Sequence, residues 1–356
     1  MLQEHNRTDG RMELGHFMYD LPPALIAPYP SADRAAARLM VLERNSGKIS
    51  HGEFSSLGTF LRAGDLLVLN DSMVLPVRLR GKKESGGRVE VLLVEPVPGQ
   101  NNCWIALVDA AKRPRVGTRI YFREGVSVEV MGDLGKGRYG LVLHYEGDFV
   151  VKLGEMGEPP LPPYIHRKRK LAPLDWERYQ TVYASRPGSI AAPTAGFHFT
   201  AELLKELEQG GIDRAFLTLH VGPGTFRPVR EQNVDCHRME AERYSLDGSA
   251  AQKIGRAKRE GRRVIAVGST STRALEGIVS LKGGVEAGQG VTRLFIRPGF
   301  SFAVIDGLIT NFHLPGSTPL MMVAAFAGLD LVRDAYQEAI RSGYRFYSYG
   351  DAMLII

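Results

Sequence analysis

The chain has 356 residues, of which 44% are hydrophobic and 24% charged, a composition that excludes extended disorder and a collagen-like or mucin-like class and leaves room for about two folded domains. A formal charge of +6 favours a polyanionic partner such as nucleic acid without requiring one. Cys103 and Cys236 lie far apart with no C-x-x-C spacing, so neither a disulfide framework nor a cysteine zinc site is expected; nor is a signal peptide or a membrane span, so the expected location is cytoplasmic, with no membrane partner.

In chain order, YDLPPALIAPYP to LMVLERNSGKI precedes a run of strand-like segments and belongs with the layer that follows them. From about 60 to 152 the chain reads as strands broken by turns: GDLLVLN, VLPVRLRGKK, GGRVEVLLVEP, CWIALVDA, TRIYF, VSVEVMG and RYGLVLHY. Such short apolar or alternating runs, separated by Gly, Pro and Asn, predict an antiparallel β-barrel or sandwich. EMGEPPLPPYIHRKRK (155–170) then suits an extended connection. Beyond it helix and strand alternate: TAELLKELEQGG with Thr200 as N-cap and Leu203, Leu204 and Leu207 on one face, the strand AFLTLHV, the basic helix AQKIGRAKREG, the strand RRVIAVG, the helix STSTRALEGIV and the strand SFAVIDGLIT. The predicted fold is therefore an α/β main domain with an inserted all-β domain, sandwich or small barrel, divided as 1–59 (first part of the α/β domain), 60–152 (inserted β domain) and 153–356 (remainder of the α/β domain).

Ligands of α/β sheets bind outside the carboxyl ends of the strands. Here the residues that follow the strands are polar: GPGTFRP (222–228), STSTR (269–273) and TNFHLPGST (310–318), with GSIAAPTAGFHFT (188–200) carrying the same ingredients ahead of a helix. Hydroxyl residues at a helix start leave backbone N–H groups free for an anion, although ordinary capping explains them equally. In the last loop Thr318 is the expected N-cap and Pro319 the first helical residue. GPGTFRP lacks the third glycine of a dinucleotide loop and the G-K-[ST] ending of a P-loop. His198, His220 and His313 have no local metal-ligand spacing. Together these loops imply one shared pocket and an enzyme.

The strings YQTVYA (179–184), AAPTAGFHFT (191–200), TLHVGPGTFRPV (218–229), VIAVGSTSTRALE (264–276), TNFHLPGSTPLMMVAAFAG (310–328) and YRFYSYGDAML (344–354) resemble the S-adenosylmethionine:tRNA ribosyltransferase-isomerase family of queuosine biosynthesis, as do YDLPPALIAPYP, NDSMVLPVRLRG and PLPPYI upstream. The resemblance implies an α/β main domain with an inserted antiparallel β-barrel domain, and transfer and isomerisation of the ribosyl moiety of S-adenosylmethionine onto 7-aminomethyl-7-deazaguanine at the tRNA wobble position, giving epoxyqueuosine-tRNA with release of adenine and methionine. S-adenosylmethionine is then a co-substrate; no prosthetic group and no metal are expected. The sequence departs from the family pattern at Glu240, where a histidine is common, and at Pro223, Ser269 and Pro319.

Such a reaction needs a base for the ribose carbon beside the sulfonium, and the candidates are His313, His198 and Asp351, with His313 first because Asn311 and Thr318 are placed to orient it. Ser269, Thr270 and Arg273 suit the methionine carboxylate, and Phe197 or Phe199 the cationic sulfur. Thr194 and Gly196 bring backbone close to the ligand, and Tyr347 and Tyr349 read the modified base. His220, Gly222, Gly224, Thr225, Arg227, Asn311, Ser317 and Thr318 complete the substrate-binding set by their place in the matched motifs, and Arg167, Lys168, Arg169 and Lys170 are the candidate tRNA phosphate contacts. Two rivals, a conventional RNA methyltransferase and a non-catalytic tRNA-binding module, fail to account for the missing glycine-rich loop and for the polar loops, respectively.

Overall fold

The computed structural model describes residues 12–162, 165, 173–222, 224 and 229–356. Its main layer is a nine-stranded mixed sheet. The chain enters it through β1 (Arg38–Leu42), β2 (Ile49–Glu53) and β3 (Leu66–Asn70), and a short β4 (Ser72–Val74) follows. It then leaves for β5 (Arg78–Lys83), β6 (Arg88–Pro96), β7 (Cys103–Ala110), β8 (Arg119–Tyr121), β9 (Ser127–Gly135) and β10 (Arg138–His144). These six close an antiparallel barrel in the order β10-β7-β6-β5-β8-β9. The return runs through β11 (Arg186–Ser189), which pairs with β4, then β12 (Asp213–Leu219), β13 (Glu242–Leu246), β14 (Val264–Val267), β15 (Gly288–Thr292), β16 (Gly307–Asn311) and β17 (Ala352–Ile355). The large sheet reads β15-β13-β12-β3-β14-β16-β17-β1-β2.

Strand composition accounts for this division. In β6 every second residue, Val89, Val91 and Leu93, points into the barrel, where it meets Val128, Val130, Leu141 and Leu143. By contrast β3, β14, β16 and β17 are buried at every position, as strands covered on both faces must be. Their alternate residues feed two cores. Leu66, Val68, Ala266 and Leu308 face the helices Gly248–Arg259, Gly268–Lys282, Thr318–Ala327 and Leu329–Arg341. Leu67, Leu69, Ile265 and Ile309 face Phe54, Leu57 and the helix Ala201–Gln209, whose Leu203, Leu204 and Leu207 are buried as its periodicity predicts. Thr200 caps that helix, its hydroxyl accepting from Leu203 N–H at 3.1 Å.

One strand departs from the expectation. GDLLVLN, read as the first strand of the barrel, supplies β3 at the centre of the large sheet, parallel to both β12 and β14. Its continuous apolar run suits a two-faced burial better than the alternation of a barrel wall. Among the described residues no helix is long and apolar enough to cross a membrane.

Candidate functional site

Strands β12, β3, β14 and β16 are mutually parallel, so Leu219, Asn70, Val267 and Asn311 finish at one edge of the sheet. Because β17 is antiparallel to β16, its first residue Ala352 pairs with Asn311 at that same edge. A pocket opens there, walled by Pro193, Thr194, Ser269, Thr270, Thr310, Asn311, His313 and Tyr347 among others. Four of the segments singled out in the sequence therefore meet: 192–195, 268–270, 310–313 and 347–348. The loop after β12 reaches the pocket through Val221. Further along it, Thr225 and Arg227, like Pro223, lie outside the described residues, as do Arg167, Lys168, Arg169 and Lys170.

Two buried histidines stand at this edge. Asn311 links one of them to the opposite wall: the Thr194 hydroxyl donates to Asn311 Oδ1 at 2.9 Å, and Asn311 Nδ2 donates to His198 Nε2 at 3.1 Å. That bond makes Nε2 of His198 an acceptor and fixes the neutral ring with its proton on Nδ1. Burial, with Arg345, Arg34 and Arg178 adding like charge, holds its pKa down to about 3. His313 has a different partner from the expected one. Its Nε2 lies 2.7 Å from the Thr310 hydroxyl, while Asn311 serves His198 and Thr318 points elsewhere. Burial alone holds His313 near a pKa of 3. Its Nδ1 has no partner among the described residues. The backbone of His313 is pinned on both sides, its N–H donating to the Tyr336 hydroxyl at 3.0 Å and its carbonyl accepting from Tyr19.

Gly268 to Thr270 begin the 15-residue helix Gly268–Lys282, which has no side-chain cap at its N-terminus. The first N–H groups of that helix therefore face the pocket edge without an internal partner. Thr270 is 5% exposed, and its hydroxyl has no partner among the described residues. Arg273, one turn on, is already committed: it donates through Nη1 to Glu242, whose other oxygen accepts from Gly222 N–H at 3.0 Å, and through Nε to the Leu294 carbonyl at 3.0 Å. Its Nη2 is buried and unpartnered among the described residues. Arg273 thus offers the site a donor rather than a free charge, and it ties the loop after β12 to the helix.

Other predicted residues have structural surroundings. Asp351 does not reach the pocket; one carboxylate oxygen accepts from Arg38 N–H at 3.1 Å and the other from Arg345 N–H at 2.7 Å. Phe199 is fully buried against Phe54 at 4.9 Å between ring centres, so it serves the core. Phe197 packs against Tyr179 and Tyr349, and the Tyr349 hydroxyl donates to Asp175 at 3.0 Å. Gly196 is required by closeness: a Cβ there would stand 2.0 Å from the Tyr183 hydroxyl. His220 sits against Gly188 outside the pocket, its pKa lowered by burial first and by Arg243 second. Gly224 lies against Glu240, which pairs with Arg138 of the barrel at 2.9 Å. The helix cap is Ser317, not Thr318: its hydroxyl accepts from Leu320 N–H at 3.4 Å, moving Thr318 and Pro319 to the first and second helical positions.

Sequence reasoning missed Thr310 and the backbone of Tyr347. Thr310 reads as an ordinary strand residue, and only its spacing of three from His313 hints at contact. Tyr347 has φ +77°, a left-handed conformation that costs a bulky residue on the order of 1–3 kcal/mol and recurs at functional sites. Its own N–H donates to the Phe312 carbonyl at 2.9 Å, and Gly350 N–H closes back onto its carbonyl at 2.9 Å. Among the described residues no three His, Cys, Asp or Glu side chains cluster as metal ligands do.

Comparison with known proteins gives one consistent result. A family described as queuosine biosynthesis protein matches residues 14–355. An S-adenosylmethionine:tRNA ribosyltransferase-isomerase from Carboxydothermus hydrogenoformans is 51% identical over 97% of this chain and 100% of its own length. One of the same name from Syntrophotalea carbinolica is 48% identical over the same shares. The crystal structure of an S-adenosylmethionine tRNA ribosyltransferase from Thermotoga maritima aligns with a TM-score of 0.54 at 36% identity, covering 96% of this chain and 100% of that one.

Proposed function

The chain belongs to the queuosine biosynthesis family, and we propose that the pocket at the carboxyl edge of its sheet is where S-adenosylmethionine is opened, with His313 as the base. The activity is transfer and isomerisation of the ribosyl moiety of S-adenosylmethionine onto 7-aminomethyl-7-deazaguanine at the tRNA wobble position, with release of adenine and methionine.

The observation that carries the assignment of the base is the ring of His313. The Thr310 hydroxyl lies 2.7 Å from Nε2 and can accept from an Nε2–H; in that tautomer, the one this proposal takes, the Nδ1 lone pair has no partner among the described residues, and His313 lines the pocket. The ring is neutral throughout the physiological range, since burial keeps its pKa near 3. So weak a base suits only an acidified proton, and a sulfonium acidifies the adjoining ribose carbon. The proton moves to Nδ1 and its electron pair stays on the ribose carbon beside the sulfonium, giving a neutral ylide; this proton transfer is the one step assigned to His313. His198 is fixed as an acceptor by Asn311 and is farther back; its part is to hold Asn311 and, through it, Thr194.

For the donor's carboxylate, the helix start at Ser269 and the unpartnered Thr270 hydroxyl supply oriented donors. Tyr347 lines the same pocket, and burial raises its pKa, so it remains neutral. Arg167, Lys168, Arg169 and Lys170 are assigned to tRNA phosphates on charge alone.

Incubating the protein with S-adenosylmethionine and tRNA bearing the aminomethyl base, then measuring free adenine and the wobble nucleoside by mass spectrometry, tests this. His313→Asn is expected to lower kcat by about 10²–10⁴-fold with S-adenosylmethionine affinity retained. Turnover within a few-fold of the parent would remove His313 as the base.

A further inference from the structure

The barrel carries a net positive charge. Between Arg78 and His144 there are twelve Lys and Arg against seven Asp and Glu, a net charge of +5. The basic stretch 253–263, prominent in the sequence, is largely neutralised. Arg256 pairs with Glu260, Lys258 with Asp306, Arg262 with Asp213 and Arg263 with Asp65. It also lies at the amino ends of β14 and β16, the edge opposite the pocket.

On the barrel an open groove of about 910 Å³ crosses β5, β6, β7 and β8; four cations (Arg80, Lys82, Arg88 and Arg123) and Tyr121 line it together with two carboxylates, Glu90 and Asp109. Gly81 is among the lining residues; a Cβ there would stand 2.6 Å from the Tyr121 carbonyl and on the barrel side shared with Val89, so its absence lets β5 approach β8 closely. Arg80 is held by Glu158 at 3.1 Å and Glu90 at 3.8 Å. Lys82, Arg88 and Arg123 are exposed and have no acidic partner among the described residues. Tyr121 is 44% exposed, with its hydroxyl tied to Glu84 at 3.0 Å, which leaves the ring at the surface.

We propose that this groove is an RNA-contact surface separate from the pocket, taking the phosphate backbone of the tRNA. The proposal rests on the reading above that tRNA is the substrate. Three unneutralised cations spaced around a concave floor, with one exposed aromatic ring, match the way proteins follow a nucleic-acid backbone. A flat anionic lipid surface fits a concave site poorly. Contacts of this kind position the RNA and carry no base specificity, so they belong in KM and not in kcat.

The test is the full chain carrying Lys82→Ala, Arg88→Ala and Arg123→Ala together, with Lys82→Glu alone as a second variant, assayed by adenine release against full-length tRNA and by filter binding of the same tRNA. The expected result for the triple variant is a rise of about 10-fold in KM for tRNA near 0.15 M salt, with kcat and KM for S-adenosylmethionine unchanged. The slope of log affinity against log salt should shrink by about 2–3, one for each lost phosphate contact. Unaltered KM, affinity and slope in both variants would overturn the proposal. So would loss of binding to phosphatidylserine vesicles with tRNA affinity intact. If the parent protein releases no adenine, the functional reading has failed, and filter binding still decides the groove.

Discussion

His198 and His313 each keep a ring neutral in a place where the unfolded chain would protonate it. Folding lowers both from the ordinary 6.5 to about 3. The unfolded chain therefore takes up protons as pH falls through 6.5 while the native state does not, so the stabilisation is complete above pH 6.5 and is lost progressively below it. At pH 5 the loss is about 2 kcal/mol for each histidine. Urea unfolding at fixed ionic strength is expected to show stability falling by about 4 kcal/mol between pH 7 and 5, above the range in which most carboxylates titrate. A flat profile over that window would mean the rings are hydrated enough to titrate normally. The same neutrality predicts that kcat/KM has no limb near pH 6.5 from either residue.

At the scale of elements, the residues that start β17 do more for the site than the side chain first picked out there. Asp351 accepts backbone N–H groups from both Arg38 and Arg345, joining the start of β1 to the segment that carries Tyr347. Asp351→Asn places an amide N–H where a carboxylate oxygen received one. It is expected to destabilise the fold by about 1–3 kcal/mol while the folded fraction turns over at nearly the parent kcat. A kcat loss of a hundredfold without a shift in the unfolding midpoint would return Asp351 to the chemistry. Helix periodicity, the polar loops and the alternation of the barrel strands were all legible, because each is written in near neighbours. What escaped depends on partners distant in sequence. Leu66–Asn70 becomes a central strand only because β12 and β14, about 150 and 200 residues later, flank it. Ser317 and Thr318 are equally good caps on paper, and the backbone angles decide between them. Thr310 becomes the partner of His313 through a turn that its spacing alone does not specify.

Over the whole molecule, the barrel meets the pocket's surroundings through the loop that follows β12. The strands place the inserted unit between β4 and β11, so we take it to begin near residue 75 rather than at 60. Among the described residues an ion pair bridges it to that loop: Arg138 at the start of β10 meets Glu240, which in turn packs beside Gly224. Both side chains are about 30% exposed, so the pair is partly screened and its own contribution is small, about 0.2–1 kcal/mol. Its consequence is positional, because it couples the seating of the barrel to a loop whose Val221 lines the pocket. A double-mutant cycle of Arg138→Ala and Glu240→Ala, read as S-adenosylmethionine affinity by calorimetry, should give a coupling energy in that same range at low salt and little above 0.5 M, where charges are screened within a few ångströms. Additive effects at low salt would show that the two residues act independently and that the barrel does not set the loop. Coupling that persists unchanged at high salt would instead assign the effect to packing of Glu240 against Gly224.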